Sequence, residues 1–347
     1  MKSQVLLILA LCLLVACGAA PTATPNAVAT QVAVMEAAAA TLTAQAPTAA
    51  PATATSKPTI IATPVPPPTP TTAPTATAPP PSATVPAPTA TATLATGPSL
   101  GQFTVVNVAS DDVLNVRTGP GVSHPVAGTI PYYGLGVEVH AGGQEVSGSW
   151  WVPVQYEAVT GWVNSNYLAR QVGSASEPVA ARAAQIILAL KERDWSTLSG
   201  LVHPAKGVRL SPYTHVRANP ADPGGMDLLF GAADIAGLWS DPTVYHWGTF
   251  DGSGEPIDYT FRQYCERFIY DVDFAQPDVV GFNQTVGQGN TINNIASVYP
   301  SAQVVEYHFE GFDPQYAGLD WRSLRLVLEE VGGTWYLTGI VHDEWTI

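Results

Sequence analysis

Cysteine is scarce in this 347-residue chain: Cys12 lies within an N-terminal apolar run, Cys17 closes that run, and Cys265 stands alone in the rest. That spacing excludes the disulfide framework that small secreted domains use in place of a large core. Cys265 is expected to be a small buried apolar side chain, since no base sits beside it to make it a nucleophile. Basic residues are also few, 14 Lys and Arg against 28 Asp and Glu. Phosphate backbones are bound by clustered Lys and Arg, so nucleic acid is excluded as a partner. The apolar run at residues 5–16 falls short of the ~20 residues that a membrane-spanning helix needs. Charge itself is almost missing from residues 21–100, where only Glu36 and Lys57 are ionisable and where 17 of the 31 prolines lie. Residues 175–347 instead carry 22 acidic and 10 basic residues, a formal charge of −12 out of the chain's −14. The chain therefore has to be read in pieces, and its acidic half suits a soluble domain outside the cell.

What is present begins with Lys2 ahead of the apolar run, the pattern of an export leader. Leu14-Val15-Ala16-Cys17 followed by Gly18 resembles the bacterial lipobox. The resemblance implies that residues 1–16 are a lipoprotein signal peptide, that the Cys17 sulfur takes diacylglycerol, and that Cys17 becomes the first residue of an extracytoplasmic protein held at the bacterial membrane by lipid. Residues 17–100 then read as a disordered Pro/Thr/Ala-rich linker. Within it, residues 26–46 are alanine-rich and form at most a frayed helix. Residues 47–98 repeat Pro-Thr and Ala-Thr without apolar periodicity and cannot offset the entropy of folding. Such a chain extends about 3.1 Å per residue, so some fifty residues reach at most ~160 Å. Threonines beside prolines also permit O-glycosylation, on composition alone.

From residue 101 the pattern changes to short β-rich runs broken by Gly, Pro, Ser and Asn, as in a small all-β barrel. Leu114-Asn115-Val116-Arg117-Thr118-Gly119-Pro120-Gly121, then Pro125-Val126-Ala127-Gly128-Thr129-Ile130, Trp151-Val152-Pro153-Val154 and Gly161-Trp162-Val163, ending at Tyr167-Leu168, resemble the bacterial SH3 (SH3b, SH3 type 3) domain. The resemblance covers about residues 102–170, and residues 101–170 are expected to fold alone as an SH3-like barrel. It implies attachment to peptidoglycan or another envelope polymer, without catalysis. Leu114 and Val116 should point inward, Arg117 should tie loop carbonyls rather than contact ligand, and Trp162 should be core. Trp150 and Trp151, adjacent in a strand, face opposite sides, so one lies outside the core. The candidate ligand-binding residues are accordingly Tyr132, Tyr133, Trp150 and Trp151, because aromatic rings give contact area with a polar handle. Residues 142–149 look slightly long for the family and should alter one rim of its groove.

Residues 175–347 predict an α+β domain. Pro178 opens a helix with Ala183, Ile186, Ile187 and Leu190 on one face, a helix follows over 261–270, and strands flank Gly332-Gly333 in a hairpin. Helices first and a curved sheet last is similar to the cone-shaped folds of nuclear transport factor 2-like (NTF2-like) proteins. Catalytic candidates are His203, His342 and Asp343, which with His246 would serve as acid and base if they met in a cone pocket. Glu306, His308 and Glu310 alternate along a strand and are expected to form an ordinary solvated face, with no metal site, since no partner His lies at ligand spacing. Gly287-Gln288-Gly289-Asn290 is turn chemistry. No cofactor is implied, and the sequence sets no oligomeric state. Two functions follow: an envelope-tethered, non-catalytic binding protein, or an envelope enzyme (hydrolase or lyase) that the SH3-type module targets. Convergence of His203, His246, His308 and His342 would separate them.

Overall fold

The computed structural model describes residues 97–219 and 226–346. The expectations for the leader, for Cys17 and for the linker as far as residue 96 lie outside the described residues. The first module contains β1 (Ser99–Val105), β2 (Val113–Arg117), β3 (Val126–Pro131), β4 (Val137–His140), β5 (Gln144–Val146), β6 (Ser149–Tyr156), β7 (Val159–Asn164) and β8 (Leu168–Gly173). They pair in the order β8-β1-β4-β6-β7-β2-β3, with β5 on β6. Alternation along each strand sends Leu114 and Val116 inward from β2. There they meet Val105, Val108, Ile130, Val137, Val139, Val152, Val154 and Val163 in an aliphatic core. The long segment noted at 142–149 holds β5 and the turn of the β5–β6 hairpin, made by Ser147 and Gly148 at φ 53° and 76°. Positive φ at both positions is the signature of the tightest hairpin turns.

The second module is α+β. Its helices are α1 (Glu177–Lys191), α2 (Trp195–Leu201), α3 (Ala232–Leu238), α4 (Phe261–Phe268) and α5 (Ile295–Val298). Its strands are β9 (Val208–Ser211), β10 (Leu228–Phe230), the separate pair β11 (Val244–Thr249) and β12 (Pro256–Thr260), then β13 (Val279–Phe282), β14 (Gln303–Phe309), β15 (Arg322–Val331) and β16 (Thr334–Glu344). Pro178 sits in the first turn of α1, where its missing N–H costs nothing. The face of α1 carrying Val179, Ala183, Ile186, Ile187 and Leu190 is buried. It belongs to one core with Val305, Tyr307, Leu324, Leu326 and Ile340 of the sheet β10-β9-β16-β15-β14-β13. α4 opens on a reciprocal cap in which Gln263 N–H donates to Thr260 Oγ1 and Thr260 N–H donates to Gln263 Oε1. The opposite sheet face is covered as well: Val327 and Val341 there pack with Val216 and Ile295.

The two modules share one sheet, and residues beside its common strands enter the cores of both. β8, the last strand of the barrel, pairs antiparallel with β1 and parallel with β13. Its chain neighbours divide accordingly, with Val105 in the barrel core and Val106 and Ala169 in the core of the second module. Successive residues of a strand face opposite sides, and here both sides have a core.

Candidate functional site

The barrel carries an open groove of about 320 Å³. One wall is the β1–β2 connection, with Asn107, Val108, Ala109 and Asp112, and the floor is Val113, Leu114, Asn115 and Arg117 of β2 with Trp151 of β6. Val122 closes one rim, Asn164 and Tyr167 the other. Arg117 Nη1 donates to the His124 carbonyl at 2.9 Å and so fixes the loop that carries Val122, as the sequence suggested for it. The β5–β6 hairpin approaches that rim, since a Cβ placed on Gly121, at φ 108°, would lie 3.1 Å from Val146. On the other rim Val106 N–H donates to the Tyr167 carbonyl at 3.0 Å. The groove thus mixes apolar surface with three side-chain amides and opposite charges at Asp112 and Arg117. Such a lining suits an extended, amide-bearing ligand, whose polar groups find partners while its side chains rest on Val113, Val122 and Tyr167.

The four aromatic candidates separate. Trp151 lines the groove and is only 5% exposed, whereas Trp150 is 51% exposed and stands opposite Glu145 of β5. One Trp in and one out is what strand alternation required. Tyr132 and Tyr133 are half-buried and meet the second module. Their rings meet edge to face, Tyr133 packs on the second module's core, and Tyr132 Oη accepts from Gln185 Nε2 of α1 at 3.1 Å. Burial against α1 raises the Tyr132 hydroxyl pKa, with Gln185 partly opposing it. The sequence reading missed Asn107, Asp112, Asn115, Val122, Asn164 and Tyr167. Asn115 was nevertheless marked by its place between the inward Leu114 and Val116.

In the second module the histidines do not converge. His203 Nδ1 accepts from Ala205 N–H and Lys206 N–H, so it caps a turn. His246 is exposed on the β11–β12 pair and meets Asp258 at 2.7 Å. His342 is fully buried beside Phe268, 3.5 Å from Asp271. Asp343, the next residue of β16, projects to the other face and accepts from Arg325 Nη1 at 2.8 Å. His342 and Asp343 therefore cannot act on one substrate, and His308, in register with Ser323 rather than Leu324, lies on the Asp343 side.

The row Glu306, His308, Glu310 is a second correction. Glu306 and His308 are 0% and 7% exposed rather than solvated. Glu306 accepts from Val286 and Gly287 N–H, from Ser323 Oγ at 2.6 Å and from Arg325 at 3.0 Å. Glu310 pairs with Arg170 of β8. Burial pushes the His308 pKa down, against the pull of Glu306 and Glu310. Burial likewise raises the Asp343 carboxyl, although Arg325 draws it back. Ser323, His308 and Glu306 sit in hydrogen-bond contact, but the loop through Gly287 lies directly on them. A Cβ on Gly287 would stand 2.6 Å from Trp321 and 2.9 Å from His308 Nδ1, so no reacting group fits. Across the sheet, burial would raise Asp271, but His342, Arg322 and Arg267 hold it below the usual range. Cys265 is pushed by burial up to about 12 and is no nucleophile near neutral pH. Among the described residues no group of three or more His, Cys, Asp or Glu is placed to hold a metal ion, and no helix is long and apolar enough to cross a membrane.

Compared with known families, residues 112–169 match the bacterial SH3 domain. That span holds β2, the Trp151 strand and Tyr167, but not Asn107, Val108 or Ala109 of the groove wall. No curated protein and no solved structure matches the chain.

Proposed function

We propose that this chain is an envelope-tethered, non-catalytic binding protein whose bacterial SH3 module holds peptidoglycan or another cell-envelope polymer in the groove between Val122 and Tyr167. The observation that carries the reading is the groove itself: open, lined by Asn107, Asn115 and Asn164 among apolar walls, and lying largely within the family match. Trp151 is its floor, and the exposed Trp150 is a further contact for a long polymer. In the same reading the lipobox Cys17 carries the lipid, residues 17–100 space the folded part from the membrane, and the protein works outside the cytoplasm. The second module is read as an NTF2-like cone, which the helices α1 and α2 ahead of a mixed sheet support. Its part is support rather than catalysis. The enzyme alternative needed converging histidines, and the separation of His203, His246, His308 and His342 weighs against it.

Sedimentation with purified peptidoglycan tests the reading. The intact exported protein should co-sediment, and Asn115→Ala with Tyr167→Ala, both at exposed positions, should release it with the circular dichroism spectrum unchanged. Failure of the wild type to sediment, or sedimentation indifferent to both changes, refutes it.

A further inference from the structure

We propose that the second module is a working part of the groove: Lys191 of α1 sets the orientation of the Asn107 amide, so that the groove wall presents N–H donors to a ligand carbonyl. The ligand half of this rests on the proposed function; the linkage between the modules does not. Asn107 lies between Val106, in the core of the second module, and Val108, in the barrel core. It is held at φ 56°, a conformation that Asn tolerates better than most residues. Its Oδ1 receives Lys191 Nζ at 2.8 Å. An ammonium has donors only, so the amide must turn its oxygen to Lys191 and its NH2 away from it. Asn107 is among the residues that line the groove, and the NH2, turned away from Lys191, is the group it has to offer a ligand acceptor. The carbonyl of a peptide bond or of an N-acetyl group fits that donor.

Lys191 is itself held. Its Nζ is 3.3 Å from Asp273 Oδ2. The Asp273 carboxylate also accepts from Tyr270 Oη at 2.7 Å and from Gln276 Nε2 at 2.8 Å. Burial would raise that carboxyl, but Tyr270, Gln276 and Lys191 together keep it below its ordinary range and so charged. A chain of polar contacts thus runs from the 270–276 loop through α1 to the groove wall, at the part of the groove that the family match leaves out.

Three substitutions separate positioning from mere support. Asn107→Asp keeps an oxygen for Lys191 and strengthens the pair, but removes the NH2. Lys191→Met removes the partner, while Lys191→Arg keeps a donor-only cation. With a purified disaccharide-peptide fragment of peptidoglycan in a calorimeter, Asn107→Asp should bind about tenfold more weakly, the order expected for one lost hydrogen bond, at unchanged or higher melting temperature. Lys191→Met should also weaken binding, and Lys191→Arg should restore it. Independently of ligand, Lys191→Met should speed amide hydrogen exchange at residues 106–109. Wild-type affinity in Asn107→Asp overturns the donor assignment, and unchanged exchange in Lys191→Met overturns the linkage. A wild type that ignores the fragment refutes the proposed function, and with it the carbonyl ligand, while exchange still decides whether Lys191 holds the wall.

Discussion

Replacing Arg325 by Met tests whether the polar centre under the Gly287 loop is structural. Arg325 is 1% exposed and bridges Glu306 to Asp343, at 0% and 2% exposure, while its Nη2 also donates to the Gly287 carbonyl. Met nearly conserves length but leaves two buried carboxylates without their cation. Breaking a buried pair in this way costs about 3–5 kcal/mol, because the desolvation of the remaining charge is no longer offset. With a urea dependence of about 2 kcal/mol per molar, the unfolding midpoint should fall by about 1.5–2.5 M at neutral pH. The pH dependence has a definite sign. Burial already raises Asp343 and Arg325 lowers it, so the variant's carboxyl rises further. A folded state whose acid is raised binds its proton more readily than the unfolded chain does, so this stability is lost as pH rises through the folded value and regained as pH falls toward the ordinary carboxylate range. The penalty should therefore be largest near neutrality and shrink on acidification. Adding Glu306→Gln and Asp343→Asn should recover part of it. A neutral-pH loss under about 1 kcal/mol, or a penalty that widens as pH falls, would refute the reasoning.

Three further outcomes are expected. Cys17→Ser should move the protein from the membrane to the soluble fraction on cell fractionation, and persistence in the membrane would place the anchor elsewhere. Thermal unfolding followed by circular dichroism and by tryptophan fluorescence should give coincident transitions, since β8 pairs with strands of both modules; a separate early transition of either would contradict that coupling. Cys265 should react with a thiol reagent at pH 8 only at the rate of global unfolding, as a buried thiol held at about 12 is almost wholly protonated there.

What the sequence made legible was local. Leu114 and Val116 declared the inward face of β2 by alternation, Ile186, Ile187 and Leu190 declared the buried stripe of α1, and Gly332-Gly333 marked the β15–β16 hairpin. The groove was half legible: Arg117 was placed by the motif that contains it, and the long 142–149 segment was expected at a rim, where the hairpin stands. What stayed hidden depends on partners distant in the chain. Glu306 and His308 look solvated by pattern because their partners, Arg325, Ser323 and the 286–287 backbone, arrive from other elements. That Tyr132 and Tyr133 are half-buried was hidden too, because Gln185, which bonds Tyr132, belongs to the next module. Periodicity reports which residues share a face, not whether anything covers it.

The pairing of β8 with β13 explains why the second module cannot be a passenger. Ending the barrel at β8 would leave a row of unpaired backbone groups, the edge that invites association with other chains. β13 satisfies that row through a parallel register from Arg170–Val279 to Gly173–Phe282. A parallel neighbour needs a crossover, and here the crossover runs from α1 to α4, including the helix that covers Tyr132 and carries Lys191. Edge protection and groove support are thus consequences of one connection. A change at the β8–β13 seam should therefore be felt at Asn107, through Val106 and α1, before it is felt at Val122, whose loop is held by Arg117 within the barrel alone.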